Sequence, residues 1–160
     1  MLKKAAGFTL IELIITMVIL AIIAVVAIPG FGNLIEGNRL VSGTNLLVSS
    51  IKFARTEAIK RGTNVTFSTD GGLANGWCVH TGNAAGNCTN DQIRGFESPG
   101  NLTFTETAGD LVFDQRGFLV PQTAQTFEVF PNNCASGDTS LRTIRVSPVG
   151  RTEIDDGVCP

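Results

Sequence analysis

The chain has 160 residues and a formal net charge of −2 at pH 7, enough for one domain plus an anchor. That charge excludes nucleic-acid binding by bulk positive charge, though not by a local basic stripe. A single histidine and four cysteines without a C-x-x-C pair exclude an ordinary zinc site, and no metal or cofactor is expected.

The first element is an apolar run. Residues 8–28 are interrupted only by Thr9, Glu12 and Thr16, and a membrane-spanning helix needs about 20 apolar residues. A cleaved secretory signal has a shorter apolar region and a small-x-small site. Ala24-Val25-Val26-Ala27 has the wrong spacing for that, so a retained transmembrane helix is predicted. Lys3 and Lys4 precede the run, and no basic residue follows until Arg39. The first residues are therefore expected in the cytoplasm and the remainder across the membrane.

Glu12 is the anomaly. At the centre of a membrane helix an acid costs about 2.5–3.5 kcal/mol, and less near an end. Either it snorkels into the headgroups or it meets a cation. Cleavage after Gly7 would give Phe8 a new amino terminus, able to pair with Glu12 of a neighbouring molecule when helices pack side by side. A registry role is the best-attested use of such buried pairs.

Lys3-Lys4, Gly7-Phe8-Thr9-Leu10-Ile11-Glu12, the apolar run and Pro29 together resemble the class III leader of type IV pilins and type II secretion pseudopilins. The resemblance implies a prepilin peptidase that cuts between Gly7 and Phe8, N-methylation of Phe8, and docking guided by Glu12. Loss of residues 1–7 would remove Lys3 and Lys4 and leave the mature chain more acidic by two charges.

Beyond Pro29-Gly30, Leu40, Thr44, Leu47, Ile51, Ala54 and Ala58 recur in steps of four and three, one face of a helix. Arg39, Lys52, Arg55, Glu57, Lys60 and Arg61 lie mostly off that face. Lys60 and Arg61 suit the negative end of a helix, and Gly62 suits its left-handed cap. One helix is predicted over residues 9–61, with a kink at Pro29. Residues 8–29 would span the membrane and residues 30–62 would form its amphipathic continuation.

From Thr63 the pattern changes to period two. Val65 and Phe67 alternate with polar residues, as do Leu102 and Phe104, Leu111 and Phe113, Phe127 and Val129, and Ile144 and Val146. Glycine-, asparagine- and aspartate-rich pieces separate them, as in antiparallel hairpins. Residues 70–92 read as mostly loop, with Trp77-Cys78-Val79 a short strand. The predicted fold class is α+β, a long N-terminal helix packed on an antiparallel sheet that occupies residues 63–160.

Cys78, Cys88, Cys134 and Cys159 all fall beyond the membrane segment, on the inferred oxidising side. Local pairing, 78–88 and 134–159, is expected among three connectivities. His80 beside Cys78 could suggest a Cys-His nucleophile, but the better reading is a disulfide cysteine and an exposed loop histidine. Asp155 and Asp156 are too few for calcium's 6–8 oxygen ligands and read as solvated. No catalytic residue is assigned, and the chain is not expected to be an enzyme.

Ala54-Arg55-Thr56-Glu57-Ala58-Ile59-Lys60-Arg61-Gly62, Phe113-Asp114-x-x-Gly117 and Val146-Ser147-x-x-Gly150-Arg151 resemble, in order, motifs of the GspH/FimT family. Gly157-Val158-Cys159 resembles the disulfide-closed tail of FimU-type minor pilins. The matches touch about half the chain. They imply a structural subunit of the FimT/FimU kind, anchored in a bacterial inner membrane with its C-terminal domain in the periplasm. Its implied partners are the prepilin peptidase and other minor and major pilins, with incorporation into a pilus at the cell surface. A GspH-type pseudopilin of type II secretion is a related alternative.

A third alternative is DNA uptake. Some FimT proteins bind DNA through a tail Gly-Arg-x-Arg, and Arg142, Arg145 and Arg151, with Lys60 and Arg61, are the candidate contacts here. The matching run is Gly150-Arg151-Thr152-Glu153. The second arginine is replaced by an acid that repels phosphate, so this alternative ranks below the structural one.

Overall fold

A computed structural model describes residues 9–69, 71–83, 88–89, 91–107 and 109–160, without the side chains of residues 26–31 and 33. The chain divides into two compact units, Met1–Gly37 and Asn38–Pro160. Helix α1 (Leu10–Arg61) begins in the first and ends in the second, and it remains helical across Pro29 although proline supplies no amide donor.

In the first unit, α1 is capped by Thr9, whose Oγ1 accepts from the Glu12 amide at 3.3 Å. Thr9-x-x-Glu12 is thus the sequence of a capping box, with one of its two hydrogen bonds formed. Thr16 donates to the Leu13 carbonyl at 2.9 Å, so its hydroxyl is satisfied within the helix. The apolar side chains from Leu10 to Val25 are exposed. Among the described residues no helix is long and apolar enough to cross a membrane; the expected 8–29 span includes positions outside that description.

In the second unit, the predicted helix face is the buried one. Leu40, Thr44, Leu47, Ile51, Ala54 and Ala58 are all buried. Buried Thr44 and Ser50 return their hydroxyls to the Leu40 and Leu47 carbonyls at 2.8 and 2.7 Å. The helix ends as its sequence dictates. Gly62 has φ 62° and its amide donates to the Ala58 carbonyl at 3.0 Å, a left-handed cap that only glycine makes without cost.

Eight strands follow: β1 (Val65–Thr69), β2 (Trp77–Thr81), β3 (Gln92–Phe96), β4 (Leu102–Glu106), β5 (Leu111–Phe113), β6 (Gln125–Pro131), β7 (Leu141–Val146) and β8 (Thr152–Gly157). They form two four-stranded antiparallel sheets, ordered β3-β2-β1-β5 and β4-β6-β7-β8. The sequence pattern suggested a single sheet. The chain first changes sheets between β3 and β4, where Pro99 lacks an amide donor and Asn101 takes φ 64°, neither of which extends a strand; it returns to the first sheet for β5 and crosses again before β6.

The helix and both sheets share one core. Phe67 of β1 meets Phe127 of β6 edge to face, with centroids 6.2 Å apart. The Trp77 indole N–H donates to Ser50 Oγ at 2.8 Å. A fully buried phenylalanine is worth about 1.5–3 kcal/mol in transfer terms, so the burial of Phe67, Phe113 and Phe127 is a main source of stability.

Two expectations for the 70–92 region change. His80 is not an exposed loop residue: it lies on β2, 1% exposed. Its Nε2 is 2.8 Å from Ser68 Oγ and its Nδ1 faces the Thr81 carbonyl at 3.0 Å. The reason is that β1 and β2 are covered on both faces, which buries a polar row of Thr66, Ser68 and His80 beside Cys78. The row is satisfied internally, since Thr66 Oγ1 donates to the Gly82 carbonyl. Gln92, taken as the end of a loop, begins β3.

The cysteines pair as expected, Cys78 with Cys88 and Cys134 with Cys159, with Cα atoms 5.6 and 5.9 Å apart. Each bridge contributes about 2–4 kcal/mol, largely through the unfolded chain. The second fastens the residues after β8 to the β6–β7 loop. There the Cys159 amide also donates to the Asp138 carbonyl at 2.8 Å.

Candidate functional site

Beside the cysteines, two groups of residues were candidates from sequence, and the structure adds a third. In the N-terminal group, Gly7 and Phe8 lie outside the described residues. Glu12 lies in the first turn of α1, where a carboxylate opposes the positive end of the helix dipole.

The basic group is distributed around the second unit, and each member has an acidic neighbour. Lys60 and Arg61 both turn to Glu57, at 3.4 and 2.6 Å. Glu57 was expected off the packed face but is 7% exposed, because two cations one turn on make its burial tolerable. The Arg61 hydrogen bond, helped by Lys60, holds its carboxyl below the usual range against the opposing pull of burial. On the second sheet, Arg142 pairs with Asp156, Arg145 lies 4.0 Å from Asp155, and Arg151 lies 3.3 Å from Glu153. The β7–β8 register sets Arg142 opposite Asp156 and Arg145 opposite Glu153, which leaves Asp155 as the diagonal neighbour of Arg145; Arg151 and Glu153 are two residues apart at the start of β8. Asp155 and Asp156 are exposed, as predicted, but they lie on a strand.

The third group is built by the later motifs, and sequence reasoning missed its centre. Asp114 folds its own turn. Its backbone amide donates to Phe118 O at 2.8 Å, and its carboxylate accepts from the Arg116 and Phe118 amides at 2.8 and 3.0 Å. The Phe118 amide, with the Arg116 side chain and amide, keeps the Asp114 carboxyl below its ordinary range although partial burial opposes this. Ser147 does the same for the second turn: its Oγ accepts from the Arg151 amide at 3.1 Å. The Leu119 amide donates to the Pro148 carbonyl at 2.9 Å, tying the two turns together.

Both turns close on α1 at Arg55, whose Nε donates to the Gly117 carbonyl at 3.1 Å. Gly117 and Gly150 have φ 81° and 75°. A Cβ on Gly150 would stand 2.3 Å from Gly117 O and 2.8 Å from Arg55 Nε. Glycine is therefore required there by backbone conformation and by space. A cleft of about 380 Å³ opens beside this junction, lined by Lys52, Arg55, Thr56, Gly150, Arg151 and Thr152. The sequence signal was present in the two turn motifs, but nothing in them names Arg55 as their meeting point.

One half-buried acid carries an unpaired carboxylate oxygen. Glu106 Oε2 is buried without a hydrogen bond among the described residues. Burial, reinforced by the charge of Asp110, pushes the Glu106 carboxyl up, with a Thr69 hydrogen bond acting the other way. Among the described residues no group of three or more histidines, cysteines or acids could hold a metal ion.

Comparisons with known proteins agree with this architecture. The family model described as Type II transport protein GspH matches residues 43–150, and the prokaryotic N-terminal methylation motif matches residues 2–28. No match was found among curated proteins. The fold is similar to the type IV minor pilin FimU of Pseudomonas aeruginosa. One crystal form is 26% identical with a TM-score of 0.63, covering 74% of this chain and 89% of that one. A second form gives 25% and 0.60, over 71% and 90%. The minor pseudopilin EpsH of the Vibrio cholerae Type 2 Secretion System shares the fold, at 13% identity and a TM-score of 0.54 over 76% and 97%. With its two sheets, its helix and the greater part of its length accounted for in this way, the chain belongs to the GspH family of type IV pilin-like proteins.

Proposed function

We propose that the chain is a minor pilin of the FimT/FimU kind, a structural subunit without enzymatic activity. A prepilin peptidase would cut between Gly7 and Phe8, and Phe8 would be N-methylated. Residues 8–29 would hold the subunit in the inner membrane with residues 30–160 on the periplasmic side. The same helix would then leave lipid for the core of a type IV pilus or its priming complex, beside other minor and major pilins. Packing between helices replaces lipid contacts in such a step, and Glu12 would set the register against a neighbour's Phe8 amine.

The observation that carries the reading is a conjunction in one chain. A methylation motif at residues 2–28 precedes a GspH-family domain that is similar to the minor pilin FimU over 74% of the chain. The disulfide-closed tail, Cys134–Cys159, also supports the pilus. A pseudopilin role in type II secretion is the second reading, supported by the family's description and by the shared fold of EpsH.

DNA binding through Lys60, Arg61, Arg142, Arg145 and Arg151 has less support, because every one of these cations has a carboxylate beside it. Glu12→Ala provides the test of assembly. The variant should be cleaved normally and enter filaments poorly, and normal incorporation would remove Glu12 from the mechanism.

A further inference from the structure

The cleft at Arg55 is a built feature that anchoring and processing do not explain. Two segments far apart in sequence line it, α1 through Lys52, Arg55 and Thr56 and the later chain through Gly150, Arg151 and Thr152, while the Asp114–Phe118 turn holds Arg55 through the Gly117 carbonyl. Arg55 is held in place by the Gly117 carbonyl at 3.1 Å. That bond uses one of the five guanidinium donors and leaves the planar edge that accepts a carboxylate in two parallel hydrogen bonds.

Among the described residues, neither Lys52 nor Arg55 has an acidic partner, in contrast to Lys60, Arg61, Arg116, Arg142, Arg145 and Arg151. Those six cations are ion-paired, and Arg94 lies over the Phe53 and Phe96 rings instead. Two unpaired cations one turn apart on a helix, with Arg151 across the cleft, therefore form a local excess of positive charge. Such an excess recruits an anion from outside the chain.

The surroundings select the kind of anion. A nucleic acid needs a continuous track of cations for successive phosphates. Here the track is cut short by Glu153 against Arg151, then by Asp155 and Asp156 further along β8. A single carboxylate needs only the cleft. Two exposed apolar side chains lie near by: Ile59, which packs on Gly117, and Val149, next to Gly150, are 51% and 52% exposed. Arginine among exposed apolar side chains is the composition of protein–protein interface cores.

We propose that the Lys52–Arg55–Arg151 cleft receives an aspartate or glutamate side chain of another pilin-like subunit, as the lateral contact of the soluble domain. This rests on the reading of the chain as a filament subunit.

The test uses the full chain in its native cells. Lys52→Glu and Arg151→Glu are combined, and Arg55 is kept because the fold uses it. Separately, a photo-crosslinking amino acid replaces Thr56 in the otherwise wild-type chain. The double variant should be processed and should melt within a few degrees of wild type, yet its amount in sheared filaments should fall at least tenfold. The crosslink should join Thr56 to a pilin-like subunit beside an acidic residue, and an acid-to-lysine change there should restore assembly of the double variant.

Wild-type assembly by the double variant would overturn the proposal. So would a crosslink that never reaches a pilin-like subunit, or a loss of salt-sensitive DNA binding with assembly intact. If the double variant misfolds, the crosslink alone decides. Failure of the wild-type chain itself to enter filaments would instead overturn the parent reading, and the proposal with it.

Discussion

Glu12 has an energetic use before any partner arrives. It stands third after the Thr9 cap, and its amide is bonded to the Thr9 hydroxyl at 3.3 Å, so its charge faces the positive helix terminus. That interaction is worth about 0.3–1 kcal/mol, a partial offset to carrying an acid beside lipid.

Gly150 gives a sharper residue-level test. Gly150→Ala should cost about 1–3 kcal/mol from its left-handed conformation alone, and more through the clash with the Gly117 carbonyl. Chemical denaturation should register the loss, and the Arg55 Nε–H resonance should move. An alanine variant as stable as wild type would mean that the two turns do not meet in this way.

Glu106 carries the pH prediction. Its folded carboxyl titrates above the unfolded one because burial disfavours the charge and Asp110 repels it. Its favourable contribution is therefore complete below the ordinary carboxylate range and is lost as pH rises through the raised folded value. Above that range the group therefore destabilises. Glu106→Gln should raise the melting temperature at pH 7, with the gain disappearing in acid, below the ordinary carboxylate range. A gain of equal size at both pH values would separate the effect from ionisation.

Not every residue was legible in advance. The inward stripe Leu40–Ala58 and the four cysteine partners could be read because periodicity and proximity in sequence carry them. The burial of His80 could not, since it depends on the second face of β1 and β2 being covered. Arg55 was also hidden, because a cation on a helix face looks solvated until the turns that reach it are placed.

At the scale of elements, the strands recovered from sequence are those with one apolar face. β5, β6 and β7 alternate because a core lies on one side, and β1 alternates in residue type because its second face, though covered, carries the polar row. β8, Thr-Glu-Ile-Asp-Asp-Gly, was invisible for the opposite reason. It is an edge strand, mostly exposed, joined to β7 by backbone bonds and cross-strand ion pairs, with no apolar alternation to reveal it. β3 is likewise an edge strand, Gln-Ile-Arg-Gly-Phe, with an interior glycine. Acidic residues on an open edge also discourage pairing with stray strands.

The tail bridge should matter most at that edge. Replacing Cys134 and Cys159 together by serine should lower stability by about 2–4 kcal/mol. Amide exchange in residues 152–157 should accelerate more than in residues 65–69. Equal acceleration in both segments would show that the bridge acts on the whole domain and not on its edge.

At the scale of the molecule, the two units divide the work. The second is a small two-sheet domain with one aromatic core, two disulfides and a cleft between its helix and the Ser147–Arg151 turn. The first carries an apolar helix surface, exposed from Leu10 to Val25. An exposed apolar surface of this kind calls for lipid or for other helices. In the proposed function the helix would meet both in succession, and the switch between them would depend on a new amine at Phe8 opposite the acid at Glu12.

The most direct measurement is the intact mass of the protein purified from cells with an active prepilin peptidase. The account predicts a polypeptide that begins at Phe8 and carries one added methyl group. A mass that retains residues 1–7 would contradict it, because without that amine Glu12 has no partner and the helix has no route from membrane to filament.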